Sequence, residues 1–203
     1  MQPKVLFSSR DPTAAMVQAE RILGALIDEA RQNDEHPVAV FDVDETLLLN
    51  DPDEESYRVA VNKPGRRLHD WLCKRGVSIY VVTARRKTKG SRKYVDKQLH
   101  ALKYPAPVQL FMVNREHDED ESASLFKLEA RKRIAGGQTD GRAHRVIVNV
   151  GDQASDMMLM EPYSDLNAKF AKRHLHPTDF HLIADADGVS DLGLKLPARY
   201  VVA

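Results

Sequence analysis

Four short apolar runs, set apart by stretches of helical periodicity, constrain the fold of this chain more than any other feature. The runs cover residues 38–41, 77–82, 108–113 and 145–150. The first run, Val-Ala-Val-Phe, is unbroken, which is typical of a strand that is buried on both faces in a parallel sheet, and each of the other three contains one or two polar residues. We therefore expect four parallel strands that alternate with helices along the chain.

Helical signals lie before and between the runs. Asp11 followed by Pro12 is a typical helix start, and apolar residues recur at helical spacing after it. Further helical stretches separate each run from the next, and residues 180–184 form a fifth apolar run. The pattern predicts an α/β fold with a Rossmann-like, doubly wound parallel sheet of about five strands and helices on both faces.

No repeat or linker-like stretch divides the sequence, so we expect one domain over residues 1–203. Its N-terminal helix is expected over about 11–33 and its core over about 37–185. Residues 186–203 are expected to form a C-terminal tail.

Polar residues follow three of the apolar runs at the point where each strand is expected to end. Asp42 and Asp44 follow the first run, Thr83 and Arg85 the second, and Asp152 and Asp156 the fourth. Ligands of an open parallel sheet bind beyond the carboxyl ends of its strands. We therefore expect these side chains to converge on one edge of the sheet.

The four aspartates of this group would repel one another unless a cation or a proton lay between them. Oxygen-only ligands at a phosphate-handling site favour Mg²⁺. With a metal present, an ionised aspartate can attack phosphorus, and a second carboxylic acid two residues further on can protonate the leaving oxygen and later activate water. Such a site also needs a cation for the phosphoryl oxygens, and Lys127 is the candidate.

These residues carry a resemblance to a known family. Residues 41–48, Phe-Asp-Val-Asp-Glu-Thr-Leu-Leu, resemble the first motif of the haloacid dehalogenase (HAD) superfamily of phosphohydrolases. Residues 81–85 resemble its second motif, and residues 151–156 resemble its fourth. Glu45 and the Gly-Asp-Gln-Ala-Ser-Asp form of the fourth motif are similar to the acid-phosphatase-like branch, subfamily IIIB, and residues 126–131 are similar to the third motif of that branch.

The resemblance implies an HAD-type phosphatase that depends on Mg²⁺ and works through an aspartyl-phosphate. Asp42 would be the nucleophile and a metal ligand. Asp44 would be the general acid and base, with its backbone carbonyl on the metal. Asp152 would complete the metal site, and Asp156 would be a direct or water-mediated ligand.

The resemblance also implies how the substrate is held. Thr83 would hydrogen-bond a phosphoryl oxygen, with Arg85 beside it, and Lys127 would neutralise the phosphoryl charge. Lys132 is the alternative for that lysine, because the start of its helix is uncertain by a few residues. Thr46 would brace the loop of the first motif.

An inserted cap often selects the substrate in this superfamily. Only residues 47–63 separate the first motif from the next expected helix, so we expect a small cap and an open site. Residues 85–97 are strongly basic and residues 116–121 strongly acidic. The basic segment either guides a phosphate-rich substrate or is a solvated helix face, and the acidic segment is expected to be a loop.

Composition excludes several classes of protein. The 30 Lys and Arg residues balance the 30 Asp and Glu residues, which argues against bulk electrostatic binding to nucleic acid. The single cysteine, Cys73, excludes an internal disulfide and a multi-cysteine zinc site. No apolar stretch approaches the ~18 residues of a membrane span, and no secretory signal is evident. We therefore expect a cytoplasmic protein with no membrane partner.

The sequence leads us to predict a Mg²⁺-dependent phosphatase that acts on a small phosphorylated substrate, the first of three functions that it allows. The second is a phosphatase that processes nucleic-acid ends that carry a 3′-phosphate. The third, of another class, is a non-catalytic protein that binds a phosphate-containing ligand on the same fold.

Overall fold

The structure is a computed structural model of the 203-residue chain, and it describes residues 4–50, 59–88, 90–113, 123–139, 141–157, 165–184 and 190–197. The strands are β1 (Lys4–Ser9), β2 (His36–Phe41), β3 (Leu48–Asn50), β4 (Val59–Val61), β5 (Ser78–Arg86), β6 (Gln109–Val113), β7 (His144–Gly151), β8 (Phe180–Ala184) and β9 (Leu192–Lys195). The helices are α1 (Pro12–Gln32), α2 (Lys63–Lys74), α3 (Ser91–Ala101), α4 (Ala123–Ala135) and α5 (Asp165–His174), and a 3₁₀ turn covers Ala154–Asp156.

Seven strands form one sheet in the order β1-β8-β9-β7-β2-β5-β6. The pairs β9-β7, β7-β2, β2-β5 and β5-β6 are parallel, whereas β8 is antiparallel to both of its neighbours. The predicted α/β fold with a mostly parallel sheet and helices on both faces is therefore confirmed.

The sheet has two more strands than the pattern predicts. Strand β1 lies at an edge, and its residues alternate between exposed and half-buried, so it lacks an unbroken apolar run. Strand β9 lies inside the sheet, in the segment that we expected to be a tail, and contains Gly193 and the buried Lys195. Gly193 is required there because a β-carbon would lie 2.7 Å from Cβ of Met157.

Alternate residues of the central strands face two different cores. In β2, Ala39 and Phe41 pack into the core that α1, α2 and α3 cover, while Val38 and Val40 pack into the core that α4 covers. Because both faces are covered, the strand is apolar at every position from Val38 to Phe41, which explains the unbroken run in the sequence.

The expected small cap is a two-stranded hairpin. Strands β3 and β4 pair in antiparallel fashion directly after the loop that follows β2, and α2 begins two residues after β4. The residues between the two strands, 51–58, and the acidic segment 116–121 lie outside the described residues. Among the helices that the structure describes, none has the length and apolar character needed to cross a bilayer.

Helix α2 packs closely on the loop after β2 through Gly65. This residue is buried in the first turn of the helix, and a β-carbon there would overlap the carbonyl oxygen of Thr46. By contrast, a β-carbon on Gly24, in the middle of α1, would meet only Nη1 of Arg75 at 3.8 Å, which is an ordinary contact.

The two glycines are expected to respond to alanine in opposite directions. Gly65→Ala forces α2 away from the loop and lowers the free energy of unfolding by about 1–3 kcal/mol, the usual cost of overpacking. Gly24→Ala removes a flexible residue from a helix interior and raises the free energy of unfolding by about 0.5–1 kcal/mol. Urea denaturation of both variants measures the two effects, and a stable Gly65→Ala protein would contradict the packing described here.

Candidate active site

The loop after β2 folds tightly at the carboxyl edge of the sheet. The backbone N–H of Asp42 continues the sheet by donating to the carbonyl of Val150 at 2.9 Å. The carbonyl of Val43 then accepts from the N–H groups of Leu47 and Leu48, both at 2.9 Å. Glu45 has a φ of +54°, which lets the chain turn back within a few residues. Asp42 and Asp44 are therefore fixed close to the ends of β2 and β7.

Asp42 and Lys127 form a buried ion pair. Nζ of Lys127, from α4, donates to Oδ1 of Asp42 at 3.1 Å and also to Oδ1 of Asp156. Burial, together with the charge of Asp156, raises the pKa of Asp42 well above its ordinary value, and Lys127 offsets only part of the shift. Burial alone would lower the pKa of Lys127, but the two carboxylates outweigh it and raise the pKa. The two carboxylates therefore favour the charged form of the lysine.

Asp152 and Asp156 complete a group of three carboxylates with Asp42. One oxygen from each lies within 4.8 Å of the others, close enough to hold a metal ion. Burial, and after it the charge of Asp156, raises the pKa of Asp152 to about 6. Gly151 makes the arrangement possible, because a β-carbon there would overlap the side chain of Asp156.

Asp44 lies beside this group and pairs with Arg85. Nη2 of Arg85 donates to Oδ1 of Asp44 at 2.6 Å, and Nε donates to Oδ2 at 2.9 Å. Nδ2 of Asn50, at the end of β3, donates to the same carboxylate at 2.8 Å. Burial alone would raise the pKa of Asp44, but the hydrogen bonds and the charge of Arg85 outweigh it and hold that pKa below its ordinary value.

A bulge near the end of β5 directs Arg85 toward Asp44. Thr83 pairs with Met112 of β6, but the next paired residue is Arg86, so Ala84 and Arg85 have no partner in the ladder. Bulges of this kind redirect side chains next to active sites. The hydroxyl of Thr83 is fully buried and accepts from the N–H of Arg85 at 3.3 Å.

The structure brings the sequence-predicted residues to one edge of the sheet. Of the two candidate lysines, Lys127 is in the site, whereas Lys132 is half exposed and pairs with Glu129 at 3.1 Å on the surface. Thr46 is buried, but its hydroxyl has no hydrogen-bond partner among the described residues, and the loop is braced by the carbonyl of Val43 instead.

Sequence reasoning missed four polar residues that support the site. Asn50 contacts Asp44, and Nδ2 of Asn62, the residue before α2, donates to the carbonyl of Glu45 at 2.7 Å. Arg131, one helical turn after Lys127, is almost fully buried and donates to the carbonyl of Asp156 at 3.1 Å. Gln98 of α3 accepts from Arg85. Of the four, only Arg131 could have been inferred from the sequence, because it follows Lys127 by four residues and so lies on the same face of the helix.

Solved structures provide the comparisons that bear on this fold. No protein-family model and no curated protein matches the sequence. The class C acid phosphatase from Bacillus anthracis, solved with tungstate bound, is similar to 92% of this chain over 77% of its own, with a TM-score of 0.58 and 16% identity. At this identity the match shows that the two proteins share a fold.

Chains in two structures of the Pnkp1/Rnl/Hen1 RNA repair complex are more distant matches. Their TM-scores are 0.43 and 0.45, at 13% and 16% identity. The match covers 60% of this chain in each case but only 37% and 40% of theirs. Similarity of this degree has no bearing on function.

Binding of a divalent cation is expected to stabilise the protein. A saturating concentration of Mg²⁺, about 100 times Kd, raises the Tm by about 5 °C or more, because only the folded chain holds the three carboxylates together. Asp152→Asn removes one of three like charges, so it raises the metal-free Tm and abolishes most of the response to Mg²⁺. Asp28→Asn, an exposed position on α1, is the matched control and keeps the full response. An equal response in all three proteins would contradict a metal site here.

Proposed function

We propose that the protein is a phosphatase that depends on Mg²⁺ and hydrolyses phosphomonoesters through an aspartyl-phosphate. The observation that carries the proposal is the buried contact of Lys127 with Asp42, in a site where Asp44 stands two residues further along the chain. The site thus pairs a carboxylate for nucleophilic attack with a cation for phosphoryl oxygens and a second carboxylate for proton transfer. The fold shared with an acid phosphatase supports the same chemistry.

The donor set fits a magnesium ion. Asp42, Asp152 and Asp156 offer only carboxylate oxygens, the ligands that Mg²⁺ prefers. Bound there, Mg²⁺ would neutralise part of the charge on the carboxylates and on the phosphoryl oxygens, so that an anionic nucleophile can approach an anionic substrate. The backbone carbonyl of Asp44 is a further ligand in this proposal.

The reaction has two steps. In the first, an oxygen of Asp42 attacks phosphorus, the bond from phosphorus to the leaving oxygen breaks, and Asp44 gives its proton to that oxygen. In the second, Asp44 takes a proton from water, the water oxygen attacks phosphorus, and the bond to Asp42 breaks to release inorganic phosphate. The same carboxyl group thus serves as acid and then as base.

The remaining residues hold the phosphoryl group and time the proton transfer. Lys127 and the hydroxyl of Thr83 donate to phosphoryl oxygens. In the substrate-free site, Arg85 keeps Asp44 ionised through two short hydrogen bonds. A phosphoryl dianion bound beside Asp44 disfavours its ionised form by charge repulsion, so the carboxyl group can take up its proton while Arg85 still orients it.

Loss of the nucleophile is expected to abolish turnover. Asp42→Asn keeps the shape of the side chain but cannot form the aspartyl-phosphate, so hydrolysis of p-nitrophenyl phosphate falls by at least about 10³-fold. Release of inorganic phosphate measures the loss, and circular dichroism confirms the fold. Retained turnover in this variant would contradict the mechanism. Wild-type protein that binds Mg²⁺ and phosphate analogues without releasing phosphate would favour the non-catalytic binding protein instead.

A second candidate function is the processing of phosphorylated nucleic-acid ends. It is favoured by a group of exposed cations at the end of β5 and on α3 that make no ion pair with any residue in the described part of the chain: Arg86, Lys87, Arg92, Lys93 and Lys97. Exposed cations that no described residue pairs, beside a site with only a small cap, attract a polyanion.

Charge reversal on α3 separates this function from the hydrolysis of small substrates. The double variant Lys93→Glu/Lys97→Glu is expected to raise KM for a 3′-phosphorylated oligonucleotide roughly tenfold in low salt, because phosphate contacts are lost. The double variant leaves KM for a mononucleotide within about twofold, because a substrate with only one or two charges is weakly attracted by these exposed cations. Lys4→Glu, on the opposite edge strand β1, is the control. Faster turnover of mononucleotides than of oligonucleotides by the wild type would exclude the second candidate.

A further inference from the structure

Gln98 is a buried polar residue on a helix face that is otherwise apolar. Its neighbours on that face, Val95 and Leu99, pack into the core, and Gln98 itself is only 9% exposed. Burial of a side-chain amide is unfavourable unless the amide is hydrogen-bonded. Oε1 of Gln98 accepts from Nη1 of Arg85 at 2.6 Å, which satisfies the oxygen.

The guanidinium group that contacts Gln98 is the same group, from Arg85, that binds Asp44. Arg85 donates through Nη1 to Gln98 and through Nη2 and Nε to the two carboxylate oxygens of Asp44. A guanidinium is planar, with its donors in a fixed arrangement, so anchoring Nη1 sets the direction of the other two nitrogens. The bulge turns the side chain of Arg85 toward Asp44, and the contact with Gln98 then fixes the orientation of the guanidinium.

We propose that Gln98 is a positioning residue for proton transfer, acting through Arg85 on Asp44. The inference rests on the proposed phosphatase function and assigns a role to a helix that supplies no group to the reaction itself. Without the amide oxygen, the long arginine side chain regains its rotamer freedom, and the carboxyl group of Asp44 loses the support that aims it at the leaving oxygen.

If Gln98 has this role, the loss of rate in a Gln98 variant depends on the leaving group of the substrate. A p-nitrophenolate ion departs without much help from an acid, whereas an unactivated phenolate needs a proton as its bond to phosphorus breaks. If Asp44 is poorly oriented, the hydrolysis of phenyl phosphate is therefore slowed more than the hydrolysis of p-nitrophenyl phosphate. General damage to the fold or to phosphate binding would slow both substrates alike.

The experiment compares kcat and KM for the two substrates in Gln98→Leu, Gln98→Glu and the wild type. Gln98→Leu is expected to lower kcat for phenyl phosphate roughly tenfold but kcat for p-nitrophenyl phosphate less than about threefold, because general acid catalysis contributes mainly to the former. KM for both substrates stays within about twofold, because Lys127 and Thr83 still hold the phosphoryl group. Gln98→Glu keeps the acceptor oxygen and restores the wild-type ratio of the two rates.

Two further variants make the result specific. Gln18→Leu is the matched control, since Gln18 also accepts from an arginine, Arg21, but on α1, which carries none of the site residues; it should leave both rates unchanged. In an Arg85→Lys background, Gln98→Leu should add little further loss, because both residues act through one contact. If Gln98→Leu does not fold, Gln98→Met, which is unbranched like glutamine, takes its place.

The outcomes separate this inference from the proposed function. Equal losses on the two substrates, or no loss on either, would overturn the role of Gln98 while leaving the phosphatase intact. A wild-type protein that hydrolyses neither substrate with Mg²⁺ present would overturn the proposed function, and the role of Gln98 with it. A selective loss on phenyl phosphate that Gln98→Glu reverses would support both.

Discussion

Lys127 carries its ammonium group into the sheet edge, where it donates to both Asp42 and Asp156. Removing ions from water costs several kcal/mol each even after the protein relaxes. The arrangement therefore requires close partners for every charge. Helix α4, which packs against β5 and β7, brings Lys127 to this edge, and Gly151 leaves room for Asp156. The donor that binds the carbonyl of Asp156, Arg131, comes from the same helix and holds the loop in place.

The pattern of apolar residues was sufficient for the parallel part of the sheet. Residues 38–41 and 146–148 are apolar because helices cover both faces of the sheet, and this pattern can be recognised from the local sequence alone. The site followed from the same logic, since parallel strands place their carboxyl ends together. Asp42, Asp44 and Asp152 could thus be brought to one edge from their positions after apolar runs.

Features that depend on contacts between distant segments could not be predicted in this way. Strand β1 is half exposed and β9 contains a glycine, so neither gives a recognisable run. To choose Lys127 over Lys132, one must know which face of α4 points into the site. The sequence leaves the start of the helix uncertain, so it does not define that face. Likewise, the pairing of Arg85 with Asp44 and Gln98 depends on a bulge that nothing in the local sequence marks.

The order of the strands in the sheet has a consequence for synthesis of the chain. Strand β2 pairs with β7, whose residues follow it by about half the length of the protein, and Asp42 meets Lys127 across 85 residues. A chain emerging from the ribosome therefore exposes one edge of its central apolar strand until most of the sequence has been made. Pairing of parallel strands that are so far apart in the sequence is slow, because the entropy of closing a large loop is lost before stabilising contacts between the strands can form. Asp42 is synthesised early, whereas its partner Lys127 follows 85 residues later, so the site is assembled only after most of the chain has been made.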